Sequence, residues 1–419
     1  MRSYYSKAYK TVRFARYILL VVIVLFIIFS ITFYKDEITF DNFRYLMKYV
    51  EISPPAVSED VRNIGFSAVS STDFAMIKQQ LIVANPKNIT SYDMNGRKML
   101  NEDITYKNPK CVSNGKYVLI YDLDGYGISV YNHFSKVFET KLSTPIEYVY
   151  LSDNGAFAVI TREKSYSGGV VAFNSRFKKV YSFMTRTATV TDVCFDDEKN
   201  LLACATTDVK DGDFYSEIYT FDTSSKKSNY KALITLSGEM PLSMFCADKN
   251  FAIMTDMGIR FYSYSGEEKN SISFGLNTPI SLYRFKDFFA ITQKTAIAST
   301  STEVSIYDYS GKELFNSGFN SDISHIDSSS DSLYILSGNK VFAYNRYGSV
   351  FEESDTAFTE VSQEGGFRKV FALDDKKYLL VTSEGAYVVS PEILADEKNE
   401  TENSENDTVS DINKVESDE

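Results

Sequence analysis

From Ile64 to about Pro391 the chain alternates apolar and polar residues with period two, in short runs set apart by polar turns. That period marks half-buried β-strands, and no long helical stretch interrupts it. One phrase, VSIYDYSGKELFNSGF from Val304 to Phe319, shows the unit: an alternating run, a small turn and a second alternating run. SYDMNG (Ser91 to Gly96), FYSYSG (Phe261 to Gly266) and AYNRYG (Ala343 to Gly348) share its form. Set in register on the aromatic residue before the turn, the relatives are Tyr92, Tyr131, Phe173, Phe221, Tyr262, Tyr307 and Tyr344. Four positions later stand Gly96, Ser135, Phe177, Ser225, Gly266, Gly311 and Gly348. Successive aromatics lie 37 to 48 residues apart. Self-similarity at that period in an all-strand sequence predicts propeller blades of four strands.

A second phrase precedes the aromatic strand: a strand, a polar turn and a very apolar strand, as in IEYVYLSDNGAFAVIT (Ile146 to Thr161), VTDVCFDDEKNLLACAT (Val190 to Thr206), PLSMFCADKNFAIMT (Pro241 to Thr255) and FRKVFALDDKKYLLVTS (Phe367 to Ser383). These read as the inner two strands of a blade. After the last of them GAYVVSPE supplies a third strand and no fourth follows, whereas IGFSAVS (Ile64 to Ser70) stands before the first inner pair without a blade of its own. Placing Ile64–Ser70 as the outer strand of the last blade removes the exposed edges. The expected fold is an all-β, eight-bladed propeller of four-stranded antiparallel blades over residues 61–391, closed by its N-terminal strand.

The pattern changes on both sides of this domain. YILLVVIVLFIIFSITFY, Tyr17 to Tyr34, is uncharged throughout and at about 1.5 Å per residue would span roughly 27 Å as a helix, close to the hydrocarbon thickness of a bilayer. A core helix would have to be apolar on every face with charges massed at both ends, a pattern that argues against it, and a cleaved signal peptide would carry a shorter apolar region and a small-residue cleavage site. Residues 17–34 are therefore expected to form a single transmembrane helix. Arg2, Lys7, Lys10, Arg13 and Arg16 precede it within a basic tail of residues 1–16, which places the N-terminus in the cytoplasm and the propeller outside the cell membrane. Over residues 35–60, Phe43, Leu46, Met47 and Val50 form one apolar helical face, read as a stalk, a helix lying on the propeller, or an interfacial or dimerising helix. Residues 392–419 carry a net charge of -9, and from Glu397 to Glu419 almost no apolar side chain, the composition of a disordered tail.

Composition narrows the function. Tyr and Phe total 61 with no Trp, which favours strands, and the net charge of -12 argues against a nucleic-acid partner, because phosphate binding needs a concentrated basic surface. The basic N-terminus, single anchor, short helix and tryptophan-free blades together resemble a membrane-anchored propeller family of clostridia and related Gram-positive bacteria, one without an established activity. More distantly they resemble eight-bladed quinoprotein-like and WD40-like propellers such as the outer-membrane assembly lipoprotein. The Gly-His and Trp-Asp signature of WD40 repeats is absent, as are the tryptophan dockings of quinoprotein blades. The resemblance thus implies the fold and no quinone.

A propeller alone does not imply a reaction, so chemistry must come from particular residues. His133, in an outer hairpin turn, and His325, in an inner strand, are expected to be structural. Cys111, Cys194, Cys204 and Cys246 show no metal spacing and fall in inner strands, where free Cys behaves as a small hydrophobe; Cys194 and Cys204 sit on adjacent strands of one hairpin, but their offset from the turn does not make them directly opposite, which argues against a disulfide between them. No nucleophile elbow, phosphate loop or paired-carboxylate motif appears. The unequal connections between second and third strands point to function: Tyr121–Gly127, Arg162–Gly169, Thr207–Glu217 and Gln293–Glu303 read as extended loops. Three belong to consecutive blades, so Tyr126, Arg162, Tyr166 and Tyr215 are expected to gather in one sector as a partner-binding surface. Asp208, Asp211 and Asp213 are weak calcium candidates that lack the full loop spacing. The function expected is a single-pass, membrane-anchored, extracytoplasmic propeller, a non-catalytic binding or scaffold module for an envelope protein, peptide or wall polymer, with no cofactor. The alternative is an envelope lyase or hydrolase using carboxylates at the central channel.

Overall fold

The computed structural model describes residues 16–22, 24–26, 63–162, 164–196, 198–224, 232–247, 249–295, 299–347, 350–353, 359–360, 366–373 and 377–389. The chain divides into two units, Met1–Ser58 and Glu59–Glu419. In the first, residues 16–22 and 24–26 are helical and their apolar side chains, Tyr17 to Val22 and Val24 to Phe26, are all exposed. Among the described residues no helix is long and apolar enough to cross a membrane. The rest of the apolar run, the amphipathic stretch of residues 39–51 and the acidic tail lie outside the described residues.

In the second unit the strands fall into eight antiparallel sheets arranged as the blades of a propeller. The first blade runs Asp73–Ile77, Gln80–Ala84, Asn88–Asp93 and Lys98–Asp103 in sequence order from the channel outward. Six further blades repeat that order, and the seventh gains a fifth strand, Thr359–Glu360, which pairs with Lys340 and Val341 of its third. The eighth consists of Phe367–Ala372, Tyr378–Thr382, Gly385–Val389 and, as its outer strand, Asn63–Gly65. Asn63, Ile64 and Gly65 pair with Tyr387, Ala386 and Gly385, and the N–H groups of Phe66 and Ala68 donate to the carbonyls of Glu384 and Ser383. The closing strand is thus shorter than the Ile64–Ser70 segment expected, and it starts one residue earlier.

Burial explains the apolar second strands. Gln80–Ala84, Val118–Asp122, Phe157–Thr161 and Tyr378–Thr382 are buried at every position, because each is covered by a neighbouring blade on both faces. Outer strands such as Lys98–Asp103 alternate between exposed and half-buried positions. Ile64, Phe74, Leu81, Phe371 and Leu379 form one cluster across the seam between the eighth and first blades.

The recurring aromatic phrase has a local cause. At Tyr92, Tyr131, Phe173, Tyr262 and Tyr307 the pairing of third with fourth strand shifts by a β-bulge, and an Asp, Asn or Ser follows. The Asp93 carboxylate accepts from the N–H of Asn95 and of Arg97, both at 2.9 Å, and the Asp308 carboxylate does the same for Ser310 and Lys312. Gly96 and Gly311 adopt φ of 78° and 86° at the position where such a turn needs a left-handed residue, and Phe177 takes 59° in the equivalent place.

Blades are joined near the channel by side chains on inner strands. Lys369 pairs with Asp73 at 2.7 Å and donates to the Phe74 carbonyl, linking the eighth blade to the first. Asp73 accepts from the Cys111 N–H of the second blade, Asp192 from Met244 N–H of the fifth, and Asp327 from Ala372 N–H of the eighth. Cys194 and Cys204 are not directly opposite, as their offset from the turn implied; Cys194 instead forms a disulfide with Cys246 on the next blade, with Cα atoms 6.0 Å apart, a pairing the sequence reading did not weigh. The cross-strand partner of Cys204 is Val193, not Cys194, so the two thiols of that hairpin point to opposite faces of the sheet. A cross-link over a 52-residue separation restricts the unfolded chain by about 4 kcal/mol in the loop-entropy treatment.

Deleting residues 61–71 should lower the melting temperature of the whole ring by about 10 °C, since it strips two to three apolar side chains from the seam and uncovers the edge of Gly385–Val389. Calorimetry checks this; a variant that melts with the parent would reduce the segment to a linker.

Candidate interaction surface

Strand order fixes two chemically separate faces. Turns between second and third strands emerge on the same face as the crossings from one blade to the next, here the crossover face. Turns between first and second, and between third and fourth strands, emerge on the opposite turn face.

Tyr126, Arg162, Tyr166 and Tyr215 all belong to the crossover face. Tyr126 is 48% exposed in the second blade, and its carbonyl accepts from Leu142 N–H. The Arg162 guanidinium reaches from the third blade to Asp124 at 3.3 Å, beside Tyr126 in sequence, and to Glu147 at 2.8 Å, so it ties two of the loops together. Tyr166 packs under the Arg186 guanidinium of its own blade, 5.3 Å from the ring centre. Tyr215 lies against Lys210 Nζ at 3.2 Å. The Thr207–Glu217 stretch is not a loop, as expected, but the continuation of two ten-residue strands, Leu201–Lys210 and Asp213–Asp222. They close on Asp211 and Gly212 at φ of 55° and 94°, the two-residue turn whose positive φ values match strand twist. Pairing sets Asp208 opposite Tyr215 and Lys210 opposite Asp213. Among the described residues no three His, Cys, Asp or Glu side chains are grouped to hold a metal ion.

The sequence reading missed the apolar side chains of this face. Outside the N-terminal helix, every large hydrophobic residue exposed among the described residues lies on the crossover face or in the channel leading from it. Val69, Tyr126 and the channel-lining Tyr148 are scattered; the others run consecutively from the third blade to the start of the sixth. Met184 ends the third blade, Val209 and Phe214 are paired across the tall hairpin, and Met257 sits in a tight turn of the fifth. Leu276, on the crossing from fifth to sixth blade, is 95% exposed. Leu242 and Ile280 are turned outward by a β-bulge that the inner strands of blades three to eight share, lying between Pro241/Ser243 and Pro279/Ser281. Apolar residues standing where turn chemistry favours Asn, Asp or Ser were the signal in the sequence.

The turn face is polar at its centre. Arg284, ending the inner strand of the sixth blade, donates from Nη1 to the Tyr150 hydroxyl at 2.6 Å and from Nη2 to the Asp153 carboxylate, both on the third blade. The bridge forms a wall common to two cavities of about 250 and 620 Å³, each bordered by Tyr150, Asp153, Arg284 and Lys286. Further along the channel wall, burial pushes the Asp192 carboxyl up to about 7 and the Asp327 carboxyl up to about 6, even though each accepts backbone hydrogen bonds. Burial likewise lowers His325 to about 3, and its Nδ1 contacts the Val370 carbonyl of the next blade at 2.7 Å. The inner-strand carboxylates Asp73, Asp192 and Asp327 each accept a backbone N–H of the next blade. The His325 ring packs edge-on against Tyr283 and Phe371, and His133 packs edge-on against Phe134.

Residues 58–389 match the family described as "Family of unknown function (DUF5711)". The chain belongs to this family. No curated protein matches it. Among solved structures, this DUF5711 propeller is similar to the C-terminal WD40 domain of Sif2, with a TM-score of 0.54 and 11% identity over 80% of this chain and 99% of that one. It is also similar to BamB from Moraxella catarrhalis, with a TM-score of 0.48 and 10% identity over 78% and 97% of the two chains. At such identities the likeness concerns the fold.

The buried channel carboxyls give the DUF5711 ring a pH dependence of defined sign. A carboxyl raised above its unfolded value of roughly 3.9 favours the protonated native state, so its contribution is full below that value and is lost as pH rises through about 6 to 7. Asp73 runs the other way: burial opposes it, but Lys369 holds it below the usual range, and its contribution is lost only in acid. Between pH 5 and 8 the melting temperature should therefore carry a downward component that Asp192→Asn and Asp327→Asn together remove, whatever their effect at pH 5. Identical slopes for parent and variant would place the linkage elsewhere.

Proposed function

We propose that this protein is a non-catalytic scaffold, anchored in the cell membrane by residues 17–34 and holding its propeller outside, where the crossover face binds a protein of the envelope. The observation that carries the reading is the run of exposed Met184, Val209, Phe214, Leu242, Met257, Leu276 and Ile280 on one face of consecutive blades. Water-exposed Leu, Ile, Met and Val on one face of consecutive blades suit a protein segment with an apolar stripe; a wall polymer offers hydroxyl and charged groups that aliphatic side chains do not recognise. Tyr126, Arg162, Tyr166 and Tyr215 supply the flank, with the aromatic and guanidinium groups that anchor interfaces.

Three features support the location: five basic residues before Tyr17, the uncharged run of 18 residues, and a disulfide between inner strands, a bond that persists in oxidising compartments. The same features support the likeness to membrane-anchored propellers of Gram-positive bacteria. Protease added to intact spheroplasts should cut beyond Lys35 or trim the acidic tail, and full protection of both would reverse the orientation.

Affinity capture from the native envelope, comparing parent with the double variant Leu276→Asp, Ile280→Asp, tests the binding face. Partner recovery should fall at least tenfold while the melting temperature stays within about 2 °C, because exposed positions contribute little to the core. Replacing Tyr126 and Arg162 with Ala should weaken recovery less. Equal recovery by parent and the Asp double variant would remove the crossover face as the binding surface.

A further inference from the structure

The turn-face mouth has a construction that interblade packing does not require. The third and sixth blades are separated by two others, yet Arg284 and Tyr150 meet across the channel with Arg284 also on Asp153. The two sides of that ion pair are unlike: the Arg284 side chain is 22% exposed and the Asp153 side chain 88%. The guanidinium is seated 5.5 Å from the centre of the Tyr150 ring, while the carboxylate stands on a turn tip closed by the Gly155 N–H on the Ser152 carbonyl. Around the smaller cavity the charge is divided. Lys286 joins Arg284 on the sixth blade, and Asp196 and Glu198 stand on the fourth. Neither Lys286 nor Glu198 enters an ion pair among the described residues. Tyr264 and Tyr309 complete the walls, each tied down through its hydroxyl, to Asp196 at 2.9 Å and to the Phe285 carbonyl.

From this arrangement we propose that the mouth cavity is a binding site for a small zwitterion, an amino acid or short peptide, whose carboxylate takes the place of Asp153 on Arg284 while its ammonium group faces Asp196 and Glu198. A guanidinium presents paired donors that match a carboxylate, so exchanging Asp153 for a ligand carboxylate conserves the hydrogen bonds of the buried group. A cavity of about 250 Å³ with tyrosine walls accommodates a side chain beside the two charged ends. Asp153 acts as a built-in competitor that keeps Arg284 paired when the site is empty of ligand.

The probe is the dipeptide Ala-Phe, compared with its N-acetyl and its C-terminal amide forms by saturation-transfer NMR on the full-length protein in detergent. The free dipeptide should bind, the amide at least tenfold more weakly, and the N-acetyl form in between. Asp153→Asn should tighten binding of the free dipeptide about threefold or more by removing the competitor, and Arg284→Gln should abolish it. Since Arg284→Gln removes a bond across the ring, its melting temperature is read alongside, and Asp153→Asn remains decisive if that variant fails to fold. Equal binding of the three forms, or no binding to either parent or Asp153→Asn at millimolar dipeptide, would overturn the site.

Discussion

A four-stranded blade is apolar on both broad faces, so no blade is stable until its neighbours cover it and the last has met the first. That requirement for closure governs the rest of the structure. It is met by a three-residue strand, Asn63–Gly65, and by Lys369, which reaches from the eighth blade to Asp73 and the Phe74 carbonyl of the first. The strand is short because it serves mainly to place Ile64 at the seam, where that side chain is fully buried with Phe74, Leu81 and Leu379. Backbone pairing to Gly385–Tyr387 supplies direction and apolar burial supplies the larger share of the free energy.

Closure also decides where chemistry can be. Middle strands buried on both sides have no room for functional groups, and charges on inner strands are drawn into holding one blade to the next. Asp73, Asp192 and Asp327 each accept a backbone N–H from the following blade. Such carboxylates look catalytic in a list of buried titratable groups, and Asp192 near 7 looks so most of all. Their geometry gives a plainer account: the shift follows from burial at a junction that needs an acceptor and tolerates a proton. What remains for recognition is the periphery of the two faces and the channel mouth.

The parts legible in the sequence are those whose cause is local. The aromatic residue, the Asp, Asn or Ser after it and the glycine at the left-handed position form one turn within six residues, so the repeat announces itself and the blade count follows. Three features escaped because their cause is not local. Cys246 stands opposite Cys194 only once two blades are packed; Arg284 meets Tyr150 across 134 positions; Leu242 and Ile280 face solvent through a bulge that an alternating pattern does not show. The hairpin of the fourth blade failed for a different reason. Its polar TDVKDGDFYSE composition reads as loop, yet pairing continues through Lys210 and Asp213 because Asp211 and Gly212 make the tight turn that lets two strands carry on.

The two faces are chemically opposite but not mechanically independent. The inner strand of the sixth blade, Thr278–Arg284, carries Ile280 at its bulged end on the crossover face and Arg284 at its far end in the turn-face mouth. Four residues of extended chain separate them, about 13 Å at strand rise. A bulge is the one place in a strand where register can shift without breaking the ladder on both sides, because one residue there is already unpaired. Arg284 ties the far end of the strand to Tyr150 of the third blade, while the bulge at its near end already holds one residue outside the ladder. Most other inner strands are held differently: those of the first, second, fourth, fifth, seventh and eighth blades are tied to an adjacent blade through a carboxylate, a disulfide or Lys369, whereas Thr278–Arg284 is tied through Arg284 to a blade three positions away.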